Sequence, residues 1–190
     1  MVVVTACSST TSTSPPRYRT GVQLPDKIAF MQTDRRWSKY TLGGSGERLS
    51  ATGCLVTAVA MALRNLDFQT DPGDLSKKLK AYGGFNKSGL LVWAGVERAT
   101  SGRAKAYFYK NGDANTARAC LAAKAYPLVK FTLPNRSAHW VVVLGEQKND
   151  FLVRDPTVKS RAPILLSSRT KRIEAVRCIG LQPRANPPRS

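Results

Sequence analysis

Histidine and acidic residues are scarce in this chain. Its 190 residues include one histidine and only 12 Asp+Glu against 30 Lys+Arg, which gives a formal charge of +18. Four cysteines stand at positions 7, 54, 120 and 178, and no two of them form a C-x-x-C pair. Because structural zinc needs closely spaced Cys and His ligands, we expect no metal site. No apolar run approaches the roughly 18 residues of a membrane span.

The excess of positive charge favours a negatively charged partner or surface, such as nucleic acid, anionic cell-wall polymer or acidic lipid. The basic residues are scattered along the chain, and no zinc-knuckle, helix-turn-helix or RNA-recognition signature is present. We therefore expect no specific nucleic-acid binding. Anionic polymer and a membrane surface remain open as partners.

The first residues do not read as part of a folded domain. M-V-V-V-T-A-C-S-S-T-T-S-T-S-P-P begins apolar, reaches small residues before Cys7 and continues as a Ser/Thr/Pro linker. This resembles the end of a bacterial lipoprotein signal, although a basic start is missing and the apolar part is short. We expect residues 1–24 to be a flexible leader, 25–182 the domain, and 183–190 a disordered tail.

The middle of the chain predicts helices. The apolar stretch 54–66 predicts a central helix, and Asp71, Pro72 and Gly83 predict the limits of a second helix over 71–84. Leu90, Trp93 and Val96 recur at helical spacing and predict a third helix over 89–99, and a fourth is expected over 114–125. An even number of cysteines permits disulfides, although nothing in the sequence pairs them. Cys120 and Cys178 lie among apolar residues, and we expect them to be buried thiols.

The last third of the chain predicts strands. Residues 127–133, 139–145, 150–155 and 173–181 are short runs rich in β-branched or aromatic side chains and separated by turns. Helices followed by an antiparallel sheet indicate an α+β domain in which the helices pack against the sheet.

Cys54 follows Gly53 at the start of the central helix. The unpaired N–H groups of a helix N-terminus stabilise a thiolate, which is the nucleophilic form of cysteine. A nucleophilic thiolate also needs a base, and His139 is the only imidazole in the chain. A lone histidine is often merely structural, but this one opens an apolar strand that can pack on the helix.

Asp155 is the candidate for orienting that imidazole. The strand ending at Asp155 is expected to pair with the strand that begins at His139, and a hairpin brings its open ends together. The fourth candidate is Gln32, whose side-chain amide, with the backbone N–H of Cys54, can stabilise an oxyanion. By itself Gln32 is one glutamine in a loop.

Six motifs follow one another in the chain: Q-T-D-R-R-W, G-C-L-V-T-A-V-A-M-A-L, D-P-G-D-L, Y-P-L-V-K, A-H-W-V-V-V-L-G and F-L-V-R-D-P. The resemblance that they carry covers about residues 25–157. Together they resemble the papain-like cysteine peptidases of the bacteriocin-processing type, which are related to double-glycine leader peptidases. The resemblance implies a papain-like fold and no cofactor. It matches Cys54 to the nucleophile, His139 to the general base, Asp155 to the orienting residue and Gln32 to the oxyanion glutamine.

The expected activity is hydrolysis of peptide bonds in a protein or peptide substrate through a thioester acyl-enzyme. Four alternatives remain open: a cell-wall peptide amidase or exported toxin or lysis factor with the same triad, a transglutaminase-like transferase, a non-catalytic polyanion-binding module, and a nucleic-acid binder supported by charge alone. The lipoprotein-like start favours an exported enzyme that is periplasmic, anchored to the outer membrane or secreted, and a cytoplasmic location stays open.

Overall fold

The computed structural model describes residues 21–107 and 112–182. The helices are α1 (Leu49–Thr52), α2 (Cys54–Asn65), α3 (Pro72–Ala81), α4 (Ala94–Ala99) and α5 (Ala114–Ala122), with a 3-10 turn at Leu166–Ser168. The strands are β1 (Ala104–Tyr107), β2 (Tyr126–Thr132), β3 (Ala138–Gln147), β4 (Asp150–Arg154), β5 (Ile164–Leu165) and β6 (Ala175–Leu181). They form one sheet in the order β1-β6-β2-β3-β4-β5, in which every neighbouring pair is antiparallel.

Helix α2 is the central helix, as the sequence predicts. All residues from Val56 to Leu63 are buried, and the helix packs mainly against β3. Gly53 separates α2 from α1, and a Cβ at this position would lie 2.3 Å from the carbonyl oxygen of Leu49. The tight junction therefore requires glycine immediately before Cys54, and this packing fixes where α2 begins.

Helix α3 also begins as predicted. The Asp71 carboxylate accepts a hydrogen bond from the backbone N–H of Asp74 at 2.8 Å, and Pro72 occupies the first turn. These are the usual N-terminal signals of a helix. Gly83, the predicted stop, lies just beyond Ala81 with a φ of +62°.

The predicted third and fourth helices are longer than the helices in the structure. Residues 89–93 are not helical, because the side chain of Asn86 accepts hydrogen bonds from the backbone N–H groups of Ser88 and Leu90 and closes a turn. Leu90, assigned to an apolar helix face, is 66% exposed. Helix α5 ends at Ala122 because Lys124 adopts a left-handed φ of +59°.

The expectation that Cys120 and Cys178 are separate buried thiols is wrong. Both are buried, but a disulfide joins them across a Cα–Cα distance of 5.8 Å. The bond ties α5 to β6 over a sequence separation of 58 residues. Cys54 is a free cysteine, and Cys7 lies outside the described residues, as do most of the predicted leader and the predicted tail.

The segment before α1 is held against the sheet at three points. The backbone N–H of Leu24 donates to the carbonyl of Leu144 at 2.7 Å, and that of Gln32 donates to Pro156 at 3.0 Å. Between these points Asp26 forms an ion pair with Arg154 at 2.7 Å. These contacts carry Gln32 to the end of β4, where Asp155 follows. The boundary predicted at residue 25 stays a prediction.

Candidate active site

His139 and Asp155 meet at the open end of the β3–β4 hairpin. The strands pair Val142 with Arg154, and continuing that register places Asp155 on the same face of the sheet as His139. His139 Nε2 lies 2.8 Å from Asp155 Oδ1, and both side chains are almost wholly buried. The structure therefore brings together the two residues that the sequence assigns to an imidazole and its orienting carboxylate.

Two further residues hold the Asp155 carboxylate. Thr157 donates to Oδ1 through its backbone N–H at 2.8 Å and its hydroxyl at 2.7 Å. Arg169 donates through Nε to Oδ2 at 2.8 Å. Both carboxylate oxygens are thus bonded, which fixes the orientation of the group that holds the imidazole.

Cys54 lies on the other side of the imidazole. Both side chains line the same cleft, and the interaction between them helps to raise the pKa of the imidazole. Because Nε2 of the ring is directed at Asp155, Nδ1 is the nitrogen available to the thiol. Cys54 is also the first residue of α2, where backbone N–H groups lack partners within the helix and the helix dipole is positive. Helix α2 and strand β3 thereby place a thiol and an imidazole in contact.

The surroundings of His139 and Asp155 favour the charged forms of both side chains. Burial by itself lowers the pKa of His139, but the hydrogen bonds to Asp155 and Cys54 outweigh it and raise the pKa from 6.5 to about 9. Burial likewise raises the pKa of Asp155, but the hydrogen bond and charge of His139 and the contacts of Thr157 lower it to about 2. At neutral pH the imidazole is therefore protonated and the carboxylate ionised.

Gln32 lines the same cleft as Cys54 and His139. Its side-chain Nε2 donates to the carbonyl of Ser50 at 2.8 Å, and its Oε1 is buried with no hydrogen-bond partner among the described residues. The second hydrogen on Nε2 has only the distant carbonyl of Ala51, at 3.4 Å. A side chain that is anchored by one N–H and retains another weakly used N–H suits a donor to a developing oxyanion.

A cleft of about 530 Å³ opens in front of these residues. One wall is formed by two loops that contact each other, 41–48 and 85–91, and the other includes the start of β3 with Ala138 and Trp140. Its lining is mainly apolar, including Leu42, Leu55, Phe85, Leu90, Leu91 and Leu133. The cleft is large enough for a few side chains of an extended peptide.

The described parts of the chain contain neither a group of side chains that could hold a metal ion nor a helix that could span a membrane. In residues 21–107 and 112–182, no three His, Cys, Asp or Glu side chains are grouped so that they could hold a metal ion. Over the same ranges, no helix has the length and apolar character that crossing a bilayer requires.

The chain belongs to the Peptidase C39 family, whose model matches residues 48–168. It is therefore a cysteine peptidase, as the motifs predict. A search of curated proteins finds no significant match. Among solved structures, a protein from Bacillus anthracis named as a C39-like peptidase superposes with a TM-score of 0.51 at 13% identity, covering 86% of this chain and 98% of that chain. This likeness confirms the predicted papain-like α+β fold.

The structure places the four residues singled out from the sequence in or beside one cleft, and it adds neighbours that the sequence does not indicate. Arg169 follows the last residue of the family match and lies in a stretch without regular apolar spacing, so nothing local marks it as a partner of Asp155. The contact of Thr157 with Asp155 could have been predicted from the sequence. Asp-Pro-Thr is typical of a turn in which the aspartate side chain accepts a hydrogen bond from the backbone N–H two residues later. The glycine-rich loop 41–48 contributes Leu42 and Glu47 to the cleft, and nothing in its sequence marks it as part of the site.

Proposed function

We propose that the protein hydrolyses peptide bonds through a Cys54–His139–Asp155 triad and a thioester acyl-enzyme. The observation that carries this proposal is the position of the imidazole, which is hydrogen-bonded to Asp155 and lies in the same cleft as Cys54, with which it interacts. This arrangement supplies a nucleophile, an acid–base group and an orienting carboxylate in one buried line.

In the acylation step, the Cys54 thiolate attacks the carbonyl carbon of the scissile bond and a C–S bond forms. The backbone N–H of Cys54 and the amide of Gln32 stabilise the negative charge on the carbonyl oxygen. The His139 imidazolium then gives its proton to the leaving amine as the C–N bond breaks. A thioester and a neutral imidazole remain.

In the deacylation step, neutral His139 takes a proton from a water molecule whose oxygen attacks the thioester carbonyl. The C–S bond breaks and the carboxylic acid product departs. The Cys54 thiolate and the His139 imidazolium are thereby restored. Asp155 remains ionised throughout and stabilises the protonated ring. No redox partner or metal takes part in these steps.

Peptide cleavage by the full chain tests this proposal. A library of internally quenched peptides is incubated with the protein and with a Cys54→Ala variant, and products are identified by mass spectrometry. We expect cleavage by the protein, none by the variant, and a covalent acyl adduct on Cys54 after rapid acid quenching. Cleavage that survives Cys54→Ala would overturn the proposal.

A transglutaminase-like transferase has the same residues but gives the acyl group to an amine. The two reactions are distinguished by adding a fluorescent primary amine to the cleavage assay. We expect free carboxylates as the main products, because the family whose model matches the chain is a family of peptidases. Products that mainly carry the amine would assign the protein to the transferases.

We also propose that the enzyme is exported and acts near anionic polymer. The disulfide between Cys120 and Cys178 supports export, because such bonds persist mainly in oxidising compartments. The net charge of +18 favours retention on an anionic surface, which makes cell-wall peptides a second substrate class. Cell fractionation, the mass of the fragment containing Cys7, and cleavage of isolated wall peptides test these points.

A further inference from the structure

The chain has 12 acidic residues, and all of them fall within the described ranges. Ion pairs with Lys, Arg or His hold seven of these side chains. Four others accept hydrogen bonds from N–H groups: Asp71, Glu97, Asp113 and Asp150. The remaining acidic residue is Glu47, whose carboxylate has no hydrogen bond or ion pair among the described residues.

Glu47 lines the cleft that contains Cys54 and His139. None of the described Lys or Arg residues lines it, although the chain has 30 of them, so no cation of the protein neutralises this carboxylate inside the cleft. The only other ionisable side chains of the lining are the two at the reaction centre. Glu47 is exposed, and an unpaired carboxylate in a mainly apolar cleft is suited to a positively charged group of a ligand.

The loop that carries Glu47 has a defined shape. The carbonyl of Glu47 accepts from the backbone N–H of Leu42 at 2.8 Å, and its own N–H donates to Ser45 Oγ at 3.2 Å. Gly89, in the facing loop, has a φ of +74°, and a Cβ there would lie 2.4 Å from Ser45 Oγ. The close contact between the loops fixes the backbone of Glu47 at the cleft wall.

The apolar lining completes the match to a basic side chain. Leu42, Phe85 and Leu90 lie along the same wall as Glu47, and Leu90 is 66% exposed. Lysine and arginine have long aliphatic stems that cover apolar surface while the charged end contacts a polar group. Of the side chains a peptide can present, these two use both the apolar wall and the carboxylate.

We propose that the Glu47 carboxylate binds a lysine or arginine side chain of the peptide substrate and gives the enzyme a preference for a basic residue beside the scissile bond. This inference rests on the proposed function, because it assumes that peptide binds in front of Cys54. It concerns one basic residue rather than a strongly cationic peptide, since the net charge of +18 disfavours the approach of a polycation.

The test measures how fast peptidyl electrophiles label Cys54 in the full chain. Matched probes carry lysine or norleucine at each position near the reactive group, and labelling is located by peptide mass spectrometry. We expect the best lysine probe to react roughly twofold to fivefold faster than its norleucine match, as for an exposed charge pair. The advantage shrinks at about 1 M salt, where exposed charges are screened.

Two variants of Glu47 assign the preference. Glu47→Gln should bring the lysine-to-norleucine ratio close to one, and Glu47→Lys should reverse it in favour of a glutamate probe. Glu174→Gln is the matched control, because it removes one negative charge outside the cleft. It should leave the ratio unchanged.

The outcomes separate this inference from the proposed function. If Cys54 reacts with all probes at similar rates, or the lysine preference survives Glu47→Gln, the role of Glu47 is refuted while the nucleophile stands. If no probe labels Cys54 in the folded protein, the proposed function fails and the inference falls with it. Equal loss of preference in Glu174→Gln would show a general charge effect and would also refute the inference.

Discussion

The imidazole of His139 lies 2.8 Å from the Asp155 carboxylate, although the two residues are 16 positions apart in the chain. The β3–β4 hairpin creates this proximity by folding the chain back on itself, and Cys54 at the start of α2 interacts with the same ring. The contact between His139 and Asp155 helps to set the charge state of the imidazole, and most of the predictions below depend on it.

The activity should decrease on the alkaline side as His139 loses its proton. The hydrogen bonds of Asp155 and Cys54 raise the pKa of His139 to about 9, and the mechanism needs the imidazolium to protonate the leaving amine. We expect kcat/KM to fall as the pH rises through about 9. Asp155→Asn should move this decrease to lower pH, because the neutral amide stabilises the imidazolium less. An unchanged profile in that variant would contradict the assigned role of Asp155.

Arg169 should act as a positioning residue through Asp155. Its Nε donates to Oδ2 of that carboxylate at 2.8 Å, so Arg169→Gln frees one oxygen and loosens the orientation of the imidazole. We expect kcat to fall roughly tenfold with little change in KM, from the loss of one charge-assisted hydrogen bond. The alkaline decrease should move to higher pH, because a positive charge near His139 is removed.

Two comparisons control the Arg169 experiment. Arg169→Lys should restore part of the activity, and Arg172→Gln removes an exposed arginine that does not contact Asp155. A pH profile that is the same in Arg169→Gln as in the unmodified protein would mean that Arg169 affects only folding.

Gln32 should contribute to the transition state more than to binding. Removing one oxyanion donor typically costs about 3 kcal/mol, or roughly a hundredfold in kcat. We therefore expect Gln32→Ala to lower kcat by about that factor while KM changes little. Gln32→Glu should be at least as damaging, since it places a negative charge beside the oxyanion, and Gln23→Ala is an exposed control. Activity within threefold of normal in Gln32→Ala would remove Gln32 from the mechanism.

The disulfide should stabilise the fold without affecting the reaction. Cys120 and Cys178 are 58 residues apart, and neither lines the cleft. Closing a loop of this length typically contributes about 2–4 kcal/mol to the free energy of unfolding. We expect the double variant Cys120→Ala/Cys178→Ala to lose that much free energy of unfolding, measured by urea titration, and therefore to unfold at a lower urea concentration. Its kcat/KM should be retained. An unchanged urea midpoint would show that the bond contributes nothing in solution.

The sequence predicts the parts of the site that depend on local patterns. The apolar run after Gly53 predicts α2 and puts Cys54 at its start, and the alternation of strands and turns predicts the β3–β4 hairpin. Since the chain has a single histidine, the partner of that thiol could be inferred before any fold was known. These features are decided within a few residues, where propensity and spacing are informative.

The features that the sequence does not predict depend on tertiary contacts. Leu90 has the spacing of a helix residue, but the side chain of Asn86 and the packing of Gly89 on the facing loop make a turn there instead. The disulfide joins two cysteines whose flanking residues predict that they are buried but not that they pair. Strand β1, at the edge of the sheet, can be recognised only from its pairing with β6. In each case the deciding neighbour is distant in the sequence.

The central claim is that His139 activates Cys54, and selective alkylation tests it most directly. The folded protein is treated with substoichiometric iodoacetamide at about pH 6, where a free cysteine with a pKa near 8.5 is almost wholly protonated. Because Cys120 and Cys178 are joined, Cys7 serves as the reference thiol in the same chain. We predict that Cys54 is labelled first and that His139→Ala slows its labelling at least tenfold relative to Cys7. Preferential labelling of Cys7, or an unchanged Cys54 rate in His139→Ala, would contradict the claim.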